Sequence, residues 1–172
     1  MDQSTSQPSR EQQMYWSEFN QLKADACYVR DYRNSIGRWV TAFATIRALT
    51  STSSIGAWLV WKRYAFVWAG LIVASQLIDA LKDVFPLYKR RRSLSRWSRT
   101  LNLLFVEAQK NWDEIAGGQC TDTQIRKLCH QLRSRKQRAE TKHIPDGLKR
   151  REDLFALAQI ETQEFFTTRY TF

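Results

Sequence analysis

Histidine occurs only twice in this chain of 172 residues, and cysteine three times. That scarcity removes most of the side chains from which metal and catalytic centres are built. Cys27, Cys120 and Cys129 form no C-x-x-C and cannot all pair, which favours a reduced, cytosolic setting over a disulfide framework. Cys129, His130 and His143 match no zinc-ligand spacing. With no Gly-rich phosphate loop and no nucleophile motif either, neither an enzyme nor a cofactor is expected. The polar start, MDQSTSQPSREQQ, lacks the basic-then-apolar order of a signal peptide and reads as a disordered tail over residues 1–13. Internal repeats and low-complexity tracts are absent.

Charge, too, is missing from one long region. Only Arg38, Arg47, Lys62, Arg63 and Asp79 interrupt residues 36–81. The mean hydropathy of −0.51 excludes a chain mostly buried in lipid, so the apolar residues are segregated rather than abundant. Net charge is +10, and the excess lies almost wholly in the second half. In the first 35 residues Arg10, Lys23, Arg30 and Arg33 nearly balance Asp2, Glu11, Glu18, Asp25 and Asp31.

What the poor region does contain is WLVWKRYAFVW, residues 58–68, with apolar arms on both sides of Lys62-Arg63-Tyr64. Each arm reaches the roughly 20 residues that a helix needs to cross hydrocarbon. Trp39, Trp58, Trp61 and Trp68 cluster near the predicted ends, where interfacial rings belong. The spacing predicts a transmembrane hairpin over residues 38–86, with spans at about 38–60 and 64–84. Arg47 at mid-span costs roughly 2.5–3.5 kcal/mol, while each large apolar residue returns only about 0.3–0.6. The two arms are therefore expected to insert as a pair, polar faces inward. Arg47, Ser51 and Ser54 share one face of the first span; Gln76, Asp79 and Asp83 share one face of the second. Arg47 and Asp79 lie at matching depth, as a buried pair or as the lining of a water path. The candidate pore or buried polar residues are Arg47, Ser51, Ser54, Gln76 and Asp79. Arg30, Arg33 and Arg38 precede the hairpin and Lys82 and Lys89 to Arg92 follow it, so positive-inside places both termini in the cytoplasm of a cytoplasmic-membrane protein.

The rest of the chain reads as helix. Residues 14–37 carry an amphipathic stripe, Tyr15, Phe19, Leu22, Ala26, Val29 and Ile36, continuous with the first span. Residues 87–143 form a basic helical hairpin. Its first helix opens with Lys89, Arg90, Arg91, Arg92, Arg96 and Arg99 and buries a stripe at Leu94, Trp97, Leu101, Leu104, Phe105, Ala108, Trp112 and Ile115, ending at Gly117-Gly118. The second starts at Thr121, with a capping box to Gln124 and an apolar side at Ile125, Leu128 and Leu132. It carries Arg126, Lys127, Arg133, Arg135, Lys136 and Arg138. A turn at Ile144-Pro145-Asp146-Gly147 precedes a last helix within residues 144–172, expected to pack through Leu154, Leu157, Ala158 and Phe165. The fold class is an all-α membrane protein. Long amphipathic helices whose stripes need partners predict a homo-oligomer. The cations of both helices are the candidate ligand-binding residues, for a polyphosphate or oligonucleotide.

ALTSTSSIGAWLVW, then YAFVWAGLIVASQLIDALKDVFPLYKRR, then FVEAQKNWDEI, resemble the SLATT family of two-transmembrane proteins over roughly residues 20–143. The resemblance implies a membrane effector of bacterial antiphage defence, oligomeric as in a tetramer, that opens a pore, depolarises the membrane and arrests growth. One implied form is the effector of Hailong-type systems, controlled by short DNA oligomers made by a partner nucleotidyltransferase. The alternative is a non-conducting, membrane-anchored scaffold that recruits nucleic acid or anionic lipid.

Overall fold

A computed structural model of the chain describes residues 8–51 and 87–170, together with residues 66, 69, 70, 73 and 76. Among these residues the protein is all-helical, with α1 at Arg10–Ser51, α2 at Leu87–Ala116, α3 at Asp122–His143 and α4 at Glu152–Arg169. They fall into two units: residues up to Tyr32 with those from Ser93 onward, and the segment Arg33–Arg92.

The helix ends follow local chemistry. α1 begins four residues before the amphipathic stripe predicts, because Ser9 and Gln12 form a reciprocal cap. The Gln12 N–H donates to Ser9 Oγ (3.3 Å) and the Ser9 N–H to Gln12 Oε1 (2.9 Å). The expected tail over residues 1–13 is therefore helical from Arg10. α2 ends in a Schellman turn. Gly118 takes φ +70°, its N–H donates to Ile115 O, and the Gln119 N–H donates to Glu114 O. α3 carries the expected capping box at Thr121 and Gln124. Gly147, at φ +69°, closes the turn back to Ile144 O at 3.0 Å.

In the first unit, α1 and α2 run antiparallel, since Tyr15 stacks near Trp112 and Phe19 on Phe105. α3 lies along one side of this pair and parallel to α1: Glu11 meets Arg126 and Glu18 meets Arg133. α4 lies antiparallel to α1, with Tyr28 against Phe155 near one end and Trp16 against Tyr170 near the other. The core holds the α1 stripe from Tyr15 to Val29 and all eight α2 positions named from periodicity. Aromatic rings fill its centre. Trp16 lies 4.6 Å from Trp112 and 5.0 Å from Phe166, and Phe19 lies 5.1 Å from both Phe105 and Phe166. The stripes thus find their partners inside one chain, so burying them requires no second copy.

α4 corrects its expected face. Leu157 is 57% exposed and Phe165 half-buried, while the buried line is Leu154, Ala158, Thr162 and Phe166. This line steps strictly by four residues and admits a threonine because its hydroxyl donates to Ala158 O at 2.7 Å.

In the second unit, α1 continues unbroken to Ser51. Gly37 meets the guanidinium of Arg91, to which an added Cβ would approach within 3.6 Å. Val40 is buried, but Trp39, Phe66 and Val73 are exposed at 60, 91 and 57%. No helix among the described residues is long and apolar enough to cross a membrane. Most of the expected hairpin, including Ser54 and Asp79, lies outside the described residues.

Candidate polyanion-binding face and its internal counter-ions

Lys89, Arg90, Arg91, Arg92, Arg96 and Arg99 all lie exposed on the first turns of α2. Arg96 and Arg99 of the first unit stand three residues apart on one face of α2, and Lys89 and Arg92 of the second unit do likewise. Each pair offers closely spaced cations of the kind that bind phosphates.

The α3 cations stand differently. Arg126 Nη2 reaches Glu11 Oε1 at 3.0 Å, and Arg133 Nη2 reaches Glu18 Oε1 at 2.7 Å. Lys136 pairs with Asp25, and Arg135 pairs with Glu107 of α2. The hydrogen bond that Arg133 donates to Glu18 raises the Arg133 pKa, so this cation is charged throughout the working range. Four of the residues expected to hold a ligand are thus already matched with carboxylates. Three of those carboxylates, Glu11, Glu18 and Asp25, are spaced seven residues apart and line one face of α1. In the sequence they stand as balancing charge; their seven-residue repeat is the signal for a partner helix.

Lys127 and Arg138 are exposed. Arg138 lines a shallow depression of about 480 Å³ with Ser134, Gln137, Thr141 and Lys142, two cations beside neutral donors. Next to it His143 titrates below its ordinary value, chiefly through burial and then through Lys142 and Arg96. It is therefore held neutral at pH 7 and adds no charge to the face.

A second polar cluster has no sequence signal. Arg30 forks onto Glu161, Nη1 to Oε1 at 2.8 Å and Nη2 to Oε2 at 2.5 Å, and also meets Asp31 at 2.9 Å. The Cys27 thiol donates to Glu161 Oε1 at 3.4 Å. Burial, above all, pushes this thiol up, and the Cys129 thiol likewise. Both are held protonated, the unreactive form. Lys23 lies 4.3 Å from the centre of the Phe165 ring and 5.0 Å from that of Phe105.

Of the expected pore residues, Arg47 and Ser51 lie in α1, and Gln76 is helical and exposed. The pairing of Arg47 with Asp79 falls outside the described residues.

Comparison with family models, with curated proteins and with solved structures finds no match.

Proposed function

We propose that the protein is an oligomeric pore-forming effector of the cytoplasmic membrane, gated by a polyanionic nucleotide or short DNA oligomer. In this reading, opening depolarises the cell and arrests growth as an antiphage response. The observation that carries it is the double use of α1. One face of this helix is zipped to basic α3 through Glu11, Glu18 and Asp25, and the same helix runs on to Ser51, into the apolar segment. A ligand that replaces those carboxylates on Arg126, Arg133 and Lys136 loosens the helix that leads into the hairpin.

The energetics permit such an exchange. Partly exposed ion pairs are worth about 0–1 kcal/mol each, whereas a multivalent phosphate ligand gains counter-ion release at every contact. Gating requires only that the ligand prefer one of two states. Lys89 to Arg99 add further contacts. Membrane residence is supported by Trp39, Phe66 and Val73, apolar side chains turned outward as lipid-facing positions require. The resemblance to two-span effectors points the same way. The scaffold alternative is favoured by one feature, the juxtamembrane position of Lys89 to Arg92, which suits anionic headgroups.

The test is expression of the full chain in bacteria with a potential-sensitive dye, followed by alkaline carbonate extraction of the membranes. The expected result is carbonate-resistant protein and depolarised cells. Inserted protein that leaves the potential unchanged under strong expression would sink the pore; protein that washes off would sink membrane insertion itself.

A further inference from the structure

Two exposed stripes in the first unit carry the same pattern with opposite sign. On α2, Arg99, Leu103, Val106 and Lys110 follow one another at steps of four, three and four. On α4, Asp153, Leu157, Ile160 and Glu164 follow at the same steps. In a helix these steps keep all four residues within one narrow face. Each stripe therefore presents two apolar side chains between two charges, over about 16 Å at 1.5 Å per residue. The apolar members are unusually bare: Leu103 67%, Val106 65%, Leu157 57% and Ile160 65% exposed. Lys110 and Asp153 pair locally with the half-exposed Glu114 at 3.9 Å and Arg151 at 2.6 Å, ion pairs that exchange at little cost.

We infer that the α2 stripe of one copy docks on the α4 stripe of the next. Leucine, valine and isoleucine meet in the middle, with Arg99 and Lys110 closing on Asp153 and Glu164. The match is of length, spacing and charge together. A second copy therefore fits better than an unrelated apolar partner, which has no reason to repeat that spacing. Because the two surfaces differ, the contact is head-to-tail, and it propagates around a ring when the rotation closes. The pattern is the same read in either direction, so both parallel and antiparallel docking satisfy it. Two stripes of this length fall short of the about 800 Å² per partner of a standard interface. The contact therefore rests on the oligomeric membrane reading above, in which hairpins in one bilayer hold the domains at high effective concentration.

The experiment uses full-length chains in mild detergent, with Cys120→Ser to remove the most accessible native thiol. One chain carries Leu103→Cys; a second carries Leu157→Cys or Ile160→Cys. A short bis-maleimide should link the two chains when they are co-expressed and link neither chain to itself; the pair that links gives the orientation. Adding Arg99→Glu and Lys110→Glu to the first chain should cut the yield about ten-fold, as loss of two charge pairs allows. Adding Asp153→Lys and Glu164→Lys to the second should restore it, which also shows that the reversed chains are folded. Mass measurement of the unlinked sample separates the two proposals. An oligomer that never links through these positions overturns this contact and leaves the pore reading standing, whereas a monomer overturns both. Linking of the Leu103→Cys chain to itself overturns the head-to-tail arrangement. Restored oligomer mass without restored linking, alongside loss of binding to anionic vesicles in the Arg99→Glu, Lys110→Glu chain, assigns the α2 stripe to lipid and overturns the contact.

Discussion

Glu161 concentrates several effects on one carboxylate. Arg30 grips it with two donors, the Cys27 thiol donates to it, and Lys23 adds positive potential. The Arg30 hydrogen bonds come first among the causes that hold its pKa below the usual carboxylate range. A depressed folded-state pKa contributes stability that is fully present above the unfolded value, about 4.3, and is lost as pH falls through the folded value. Both side chains keep more than a third of their exposure, 38% for Arg30 and 40% for Glu161, so solvent screens much of the attraction. Glu161→Gln should therefore lower stability by about 1 kcal/mol at pH 7, near the upper range for exposed pairs because the geometry is bidentate. Urea titrations of both proteins at pH 7 and again near pH 3 check this: the gap should be present at pH 7 and shrink at pH 3. An equal gap at both values would assign the loss to packing. This pair joins residues 131 apart, and no local spacing announces it; only the fold brings α4 back along α1.

At the scale of helices, periodicity succeeded where burial coincides with apolarity. Every α2 position expected inside is inside, from Leu94 to Ile115, and Ser98, at 2% exposure, joins them as a polar member that apolar periodicity passes over. α4 departed from its pattern because Thr162 occupies a core position while Leu157 does not. A hydroxyl that can return its hydrogen bond to the preceding turn costs little inside a helix bundle, so polarity alone misplaces it. The start of α1 reads as polar tail because its Ser9-x-x-Gln12 cap stands ahead of any apolar periodicity, and the acidic seven-residue repeat reads as ordinary polar sequence until α3 lies beside it. The α4 assignment has a direct check in denaturant midpoints. Phe166→Ala, at 6% exposure and among Trp16, Phe19 and Tyr170, should cost about 3–5 kcal/mol. Leu157→Ala should stay within about 0.5 kcal/mol, as surface changes do. Comparable losses from both would return Leu157 to the core.

For the whole molecule, the question is how a basic face can be both a structural strut and a ligand site. The net charge of +10 overstates the free positive surface, because Arg126, Arg133, Arg135 and Lys136 are matched internally. If the ligand competes with α1 for these cations, removing the competitor must tighten binding. Glu11→Gln, Glu18→Gln and Asp25→Asn together leave the core untouched, since all three lie on its margin, only partly buried. The triple variant should bind a short single-stranded DNA oligomer more tightly than the unmodified chain, by about ten-fold or more if three pairs of roughly 0.5 kcal/mol each no longer have to be broken. Charge reversal at Arg126 and Arg133 should act in the opposite direction and flatten the salt dependence, because fewer counter-ions are released. Fluorescence anisotropy across a salt series reads both quantities in one titration. The sign of the first effect is the decisive one. A site confined to Lys89 through Arg99 would leave the triple variant's affinity unchanged, and α1 would then be a strut whose carboxylates hold α3 in place without answering to any ligand.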